Sequence, residues 1–291
     1  VNVNIVRMKL HHDLHSHSTA SDGTLTPEEL VEEALDGGVD VLALTDHDTT
    51  AGIGAAARAA DGQDIRLIPG VEISVSWNAY TIHVLGLNID IRDERLQRGL
   101  QGLREFREWR AQEIARRLEK AGIQGALTGA RAHARGSIVG RTHFARFLVE
   151  QGYARSLREV FKRYLVKKRP GYVPGEWATL EQAVTWIRGA GGLAVIAHPA
   201  RYRLSATRLR ALLEEFKSCG GLGLEVVSGS HSRDDITAMS SVARRLELLA
   251  SCGSDYHGPE NPWVRLGRLA NVPDGCRPVW ESTQWRATTA R

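Results

Sequence analysis

Six of the eleven histidines in these 291 residues fall, with three carboxylates, at the ends of predicted strands. The nine are His15, His17, Asp22, His47, Glu72, His83, His198, Asp255 and His257. Each follows an apolar β-type run and precedes a turn, a placement that scattered surface histidines do not produce. His15-x-His17 and Asp255-x-His257 repeat one arrangement, because a period of two along a strand puts both side chains on one face. Asp13 shares the face of His15 and is placed to brace a ligand imidazole. Asp46, beside His47, is a second supporting carboxylate. A lone His-x-His is weak evidence, but two such pairs with His198-Pro199 at a further strand end are strong. So many donors imply more than one ion, and mixed His/Asp/Glu ligation without thiolates suits Mn²⁺, Mg²⁺, Fe²⁺ or Zn²⁺. Clustered divalent ions suit hydrolysis of phosphate esters, since coordination lowers the pKa of water from about 15.7 toward neutrality.

Donors this far apart meet only if a fold gathers strand ends in one place. The pattern predicts such a fold. Leu10–His15 reads as a strand and Thr26–Leu35 as a helix with a capping box, Thr26 at N-cap, Pro27 at N1 and Glu29 at N3. Val39–Thr45 is a nearly continuous apolar run, as expected of a strand covered on both faces. A helix at Ile53–Ala60 and strands at Ile65–Val75 and Thr81–Ile89 follow. The alternation resumes with helix Leu180–Arg188, strand Leu193–His198, helix Ala206–Phe216, strand Leu222–Val227, helix Asp234–Arg244 and strand Leu246–Ser251. Repeated β-α units imply parallel strands, and seven or so can close into a barrel whose strand ends converge on one mouth.

Residues 93 to about 170 have another texture. Leu96, Leu100, Leu103, Phe106, Ile114 and Leu118 are spaced for one helix face, and Gly122, Gly125, Gly129 and Gly136 mark breaks between helices. Residues 92–175 hold 20 Lys/Arg against 8 Asp/Glu, a net of +12, while the remainder nets −8. The basic middle is thus a candidate surface for a polyanion. The 42% apolar content suffices for a core. No apolar stretch approaches the roughly 18 residues of a membrane span, and Val1 to Leu10 lacks the apolar block of a signal peptide. Three separated cysteines (Cys219, Cys252, Cys276) fit a reducing cytoplasm.

DLHSHSTASDGTLTPEELVEEA, LALTDHDT, IPGVEIS, IHVLGL, VIAHPARY and GSDYHG resemble, in order and over almost the whole chain, the motifs of the PHP (polymerase and histidinol phosphatase) superfamily. RLEKAGIQGAL, RTHFARFLVEQG and VFKRYLVKKRPGYVP are similar to the helical region of the subgroup that holds RNase AM and the 3',5'-nucleoside bisphosphate phosphatases. The resemblance implies an α/β fold, a distorted seven-stranded β/α (TIM-like, PHP) barrel with a helical insertion domain. Residues 8–92 and 176–270 would form the barrel, 93–175 a basic helical cap, and 271–291 a tail. It further implies three divalent ions, Mn²⁺ foremost. His15, His17, Glu72 and Asp255 would hold one, Glu72, His83 and His198 a second with Glu72 bridging, and Asp22, His47 and His257 a third. Asp22, His47, Asp255 and His257 would be the catalytic set.

The implied substrates are 3',5'-bisphosphonucleotides, which lose the 3'-phosphate, and short 5'-phosphorylated RNA, shortened from its 5' end. No membrane and no obligate protein partner are implied. Selecting a terminal 5'-phosphate needs cations at the mouth, and the candidates are Arg141, His143, Arg201, Lys168 within Lys167-Lys168-Arg169, and His231 in SGSHS with Ser230. The planar fork of arginine favours Arg141 and Arg201. Tyr172 and Trp177 are candidates to stack on a base. Three other readings stay open: a histidinol-phosphatase-like small-molecule phosphatase, an amidohydrolase-type deaminase, and a metal-stabilised RNA-binding protein without turnover. None of Lys9, Lys120, Lys162, Lys167, Lys168 and Lys217 ends a barrel strand, where many binuclear amidohydrolases place a bridging modified lysine.

Overall fold

The computed structural model describes residues 10–285. The signal-peptide reading of the first residues, the barrel's opening residues 8 and 9 with Lys9, and the last six residues of the tail lie outside them. In chain order the elements are β1 (His12–Asp13), α1 (Pro27–Asp36), β2 (Val41–Leu44), α2 (Ile53–Ala60), β3 (Arg66–Trp77), β4 (Tyr80–Leu87), α3 (Glu94–Lys120), α4 (Ala126–His133), α5 (Arg141–Glu150) and α6 (Leu157–Val160). A π-helical turn at Phe161–Leu165 precedes α7 (Leu180–Gly189), β5 (Leu193–Ile196), α8 (Ala206–Ser218), β6 (Gly223–Ser228), α9 (Arg233–Arg245) and β7 (Leu249–Gly253). The seven strands pair in chain order. The ring closes where Leu14 N donates to Cys252 O (3.0 Å) and Asp255 N to His15 O (2.9 Å). This is the expected distorted α/β barrel.

Helix starts follow local chemistry. The hydroxyl of Thr26 accepts from Glu29 N and the Glu29 carboxylate from Thr26 N, with Pro27 at N1, so the capping box forms as the sequence predicts. Ser232 and Asp235 build the same device on α9. Among the described residues no helix is long and apolar enough to cross a membrane.

One expectation fails. β4 runs antiparallel to both β3 and β5, where repeated β-α units predict parallel strands. Only Asn78 and Ala79 join β3 to β4, both with positive φ (44° and 64°), as in a type I′ hairpin. Parallel pairing needs a crossover of a dozen or more residues, so a two-residue link forces reversal. The start of β4 therefore reaches the mouth, and His83 sits three residues into β4, opposite Ser74. Glu72 lies inside β3, which runs on to Trp77. Neither of these two donors is at a strand's C-terminal end.

The long α3 joins two cores. Its Leu96, Leu100 and Leu103 pack with Ala183, Val184 and Ile187 of α7 and with the barrel strands. Farther along, Ala111, Ile114, Ala115 and Leu118 belong to a separate core with Phe144, Phe147, Leu148, Val160 and Val173. Gly129 does not break a helix as the sequence suggests; it lies within α4, where an added Cβ would sit 2.0 Å from the Phe147 ring. The tail is better packed than its weak pattern implies. Val279 is buried among Val41, Ile68, Leu193 and Leu249, and Trp280 stacks on His12 at 3.8 Å.

Candidate metal centre and phosphate cavity

The nine donors meet at the barrel mouth. Three groups have their ligand atoms within 4.8 Å of one another: His15, His17, Glu72 and Asp255; His17, Asp22, His47 and His257; and His47, Glu72 and His83. His198 Nε2 lies 3.1 Å from Glu72 Oε1. The first group matches the implied partition. The others differ in detail, since His17 and His47, like Glu72, each belong to two groups. Backbone geometry at the mouth is unusual: Asp48, His198 and Asp255 have φ of 53°, 29° and 58°, a region that costs non-glycine residues about 1–3 kcal/mol each.

The donor set fits cations. His15 Nδ1 lies 2.9 Å from Glu225 Oε1, which places the ring proton there and leaves Nε2 as a lone pair. That Nε2 is 3.1 Å from His17 Nε2 and 3.4 Å from both Glu72 Oε1 and Asp255 Oδ1. Asp22 Oδ1, His47 Nδ1 and Glu72 Oε2 are buried and find only one another's cluster as partners, His47 Nδ1 lying 2.8 Å from Glu72 Oε2 and His257 Nε2 3.2 Å from Asp22 Oδ1. Acceptors crowded this closely repel unless positive charge lies between them. The same field shifts the proton affinities of these groups. Burial would raise Glu72, but His83, His47 and His15 hold it well below the usual carboxylate range. Burial would lower His257, but Asp22 and Asp255 raise it to about 9. Burial lowers His17 to about 3 and His83 to about 4.

Supporting residues differ from expectation. Asp13 does not brace an imidazole: buried and raised to about 7 by burial, it accepts from Ser254 N at 2.8 Å and so anchors the segment that carries Asp255. Glu225 braces His15 instead, and its second oxygen accepts from His198 N at 2.6 Å. The signal was present, since Glu225 is a lone carboxylate in the apolar run Leu222–Val227, and a buried charge must be paired. Asp46 accepts from Ser18 N, Ser18 Oγ and Ser21 Oγ, fixing the loop between His17 and Asp22. Tyr202 also escaped the sequence reading. Its hydroxyl accepts from His83 N and donates to Ala197 O.

A cavity of about 170 Å³ opens beside the cluster, and Arg107, Arg110, Arg141, Arg201 and Trp177 help to line it. Arg141 has no hydrogen bond or ion pair among the described residues and lies over Phe161 at 5.7 Å. Arg201 pairs with Asp255 Oδ2 at 2.5 Å. Arg107, absent from the sequence candidates, donates to Asp48 Oδ2 (2.6 Å) and Ser74 Oγ (2.8 Å) and stacks on Trp177 at 4.9 Å. Three predicted phosphate ligands are elsewhere. His143 is buried, with Nδ1 accepting from Gly140 N to cap α5. Both ring nitrogens of His231 face backbone, at Val226 O and Ala200 N. Lys168 is exposed in the turn after the π-helical segment, outside the cavity lining, as are Lys167 and Arg169. Tyr172 does not line it either, whereas Trp177 is committed to its arginine partners.

Known proteins share this architecture. A 3',5'-nucleoside bisphosphate phosphatase of Chromobacterium violaceum is 46% identical over 275 residues, 94% of this chain and 96% of its own. The 5'-3' exoribonuclease Rnm of Escherichia coli is 50% identical over 272 residues, covering 93% and 92%. A solved amidohydrolase from Chromobacterium violaceum, with bound sulfate and no metal, superposes with a TM-score of 0.89 at 47% identity, over 92% of this chain and 94% of that one. The PHP domain model matches residues 13–226, a stretch that spans all the donors but Asp255 and His257. By that match and by these relatives, aligned along nearly their full length, the chain belongs to the PHP domain family.

Proposed function

We propose that the protein is a metal-dependent phosphoesterase that hydrolyses the 3'-phosphate ester of 3',5'-bisphosphonucleotides and removes 5'-nucleotides from 5'-phosphorylated RNA. The carrying observation is the meeting of clustered His, Asp and Glu donors with an arginine-lined cavity at one mouth. The names of two relatives alignable over more than nine-tenths of the chain support it. The nine donors would hold three divalent ions, Mn²⁺ foremost, with Asp22, His47, Asp255 and His257 nearest the substrate. When bound, such ions supply Lewis acidity and positive charge toward phosphate oxygens.

The remaining work falls to the chain. Arg141 and Arg201 fix the terminal 5'-phosphate by their planar forks, and Arg107, locked by Asp48, holds that side of the cavity in shape. Glu225 and Tyr202 hold His15, His198 and His83 in place. The bond between phosphorus and the ribose 3'-oxygen breaks, water adds to phosphorus, and the 3'-oxygen leaves with a proton. A bisphosphonucleotide gives a 5'-nucleotide and phosphate; RNA gives a 5'-nucleotide and a shorter chain with a new 5'-phosphate. Residues 8–92 and 176–270 act as the hydrolytic barrel, 93–175 as its basic cap, and 271–291 as a tail.

The test is product analysis of Mn²⁺-loaded protein on adenosine 3',5'-bisphosphate and on 5'-phosphorylated RNA. AMP with phosphate, and 5'-nucleotides, are expected, and Asp255→Ala or His257→Ala should abolish both while circular dichroism is unchanged. Phosphate release from histidinol phosphate alone, ammonia release, or RNA binding without turnover would each overturn the reading in favour of another chemistry.

A further inference from the structure

A second, larger depression meets the first cavity at the donors. It has about 740 Å³ and is lined by Arg146, Val149 and Leu157 of the cap, by Ser230, and by Asn261 and Val264 of the segment after β7. Thr142, Arg201, Asp255 and His257 line both. The inner cavity, at about 170 Å³, lies below the roughly 300–1,000 Å³ that engulfs a drug-sized ligand. A polynucleotide with its 5' end there must continue elsewhere, and this groove is continuous with the reacting position.

We infer that the groove carries the nucleotides on the 3' side of the scissile phosphate as single-stranded RNA, giving the substrate a fixed polarity: 5'-phosphate in the arginine-lined cavity, downstream chain between α5 and residues 258–264. The inference rests on the phosphoesterase reading above. Three observations favour RNA as the occupant. Arg146 is half-buried in the groove and has no hydrogen bond or ion pair among the described residues, whereas of the groove's acids Glu150 pairs with His133 at 3.0 Å and Asp255 with Arg201 at 2.5 Å, and Glu260 accepts from the Thr24 hydroxyl at 3.1 Å. The segment that supplies Arg146 nets +12. Trp263, 91% exposed, is outside the groove's lining but lies in sequence between two residues that form it, Asn261 and Val264. An aromatic face combined with an unpaired cation is how proteins hold single strands without reading sequence. Bases stack on the ring while the arginine meets a phosphate.

The experiment compares kcat/KM for adenosine 3',5'-bisphosphate with that for an unstructured 5'-phosphorylated RNA ten-mer, in wild-type protein and in Arg146→Gln and Trp263→Ala. Each variant is expected to lower the RNA-to-mononucleotide ratio roughly ten-fold, through KM for RNA, in line with the loss of one stacked base or one phosphate contact. Arg146→Gln should also reduce the salt dependence of the RNA reaction by about one unit of slope. An unchanged ratio in both variants overturns the inference. So does wild-type protein that turns over the mononucleotide but not RNA, an outcome that leaves the phosphatase reading intact. A readout free of turnover is crosslinking of the ten-mer carrying 4-thiouridine as its third nucleotide. Attachment to α5 or to residues 258–264 supports the path, and attachment solely elsewhere refutes it.

Discussion

Replacing Glu225 by glutamine changes one atom for another of similar size and should weaken the centre from behind. Glu225 is fully buried, and each carboxylate oxygen accepts one hydrogen bond, from His15 Nδ1 (2.9 Å) and from His198 N (2.6 Å). An amide has one acceptor oxygen. Whichever contact it keeps, its NH₂ faces the other donor. If it opposes His15, the ring must move its proton to Nε2, the atom that faces Glu72 and Asp255, and so lose its lone pair. If it opposes the His198 amide, a buried N–H goes unpaired, at a cost of about 1–3 kcal/mol. Outer partners of ligand histidines are typically worth 10–100-fold in metal affinity or activity, about 1.4–2.8 kcal/mol, which sets the scale of the loss through His15. Competition against a chelator measures affinity, and kcat/KM at saturating Mn²⁺ measures what excess metal restores. Glu225→Gln should bind metal at least ten-fold more weakly and recover part of its activity at high Mn²⁺. Wild-type affinity in this variant would refute the argument that Glu225 sets the His15 proton.

Two further predictions follow from packing and titration. Burial holds His143 at about 4, against about 6.5 when unfolded. The unfolded chain therefore takes up this proton first, and the stability present above pH 6.5 is lost as pH falls toward 4, with a ceiling of about 3 kcal/mol. Glutamine can still accept from Gly140 N but does not titrate, so metal-free His143→Gln should lose less stability than wild type between pH 7 and 4.5 in urea unfolding; parallel losses would contradict this. A Cβ added at Gly253 would lie 2.2 Å from the His15 Cβ and 2.7 Å from Glu225 Oε1. Gly253→Ala should then cost about 1–3 kcal/mol and most of the activity. Gly102→Ala, on α3 with nothing within 4 Å, should leave activity alone and stabilise slightly. Thermal melts with kcat/KM separate the two outcomes.

The donors were legible because metal sites constrain residue type and strands constrain spacing. Two donors share one face only at a period of two, and a histidine ending an apolar run has few structural reasons to be there. Helices with capping boxes were legible for the same reason, since Thr26 and Glu29 answer orphan N–H groups within four residues. Glu225 could have been read from its apolar neighbours. Arg107 could not, because it lies on a helix crowded with arginines, and only the approach of Asp48 and Ser74 distinguishes it from a solvated charge.

Types and local periods thus determined the donor set, the β-α alternation and the basic character of the middle segment, all of which depend on neighbours in the chain. Tertiary structure alone decided the locking of Arg107 by Asp48 and Ser74 and the hold of the Tyr202 hydroxyl on His83 N. The physical reason is reach: a side chain's hydrogen-bonding capacity goes to whatever partner folding brings closest, and for these residues that partner comes from how helices and turns pack, which no spacing along the chain encodes.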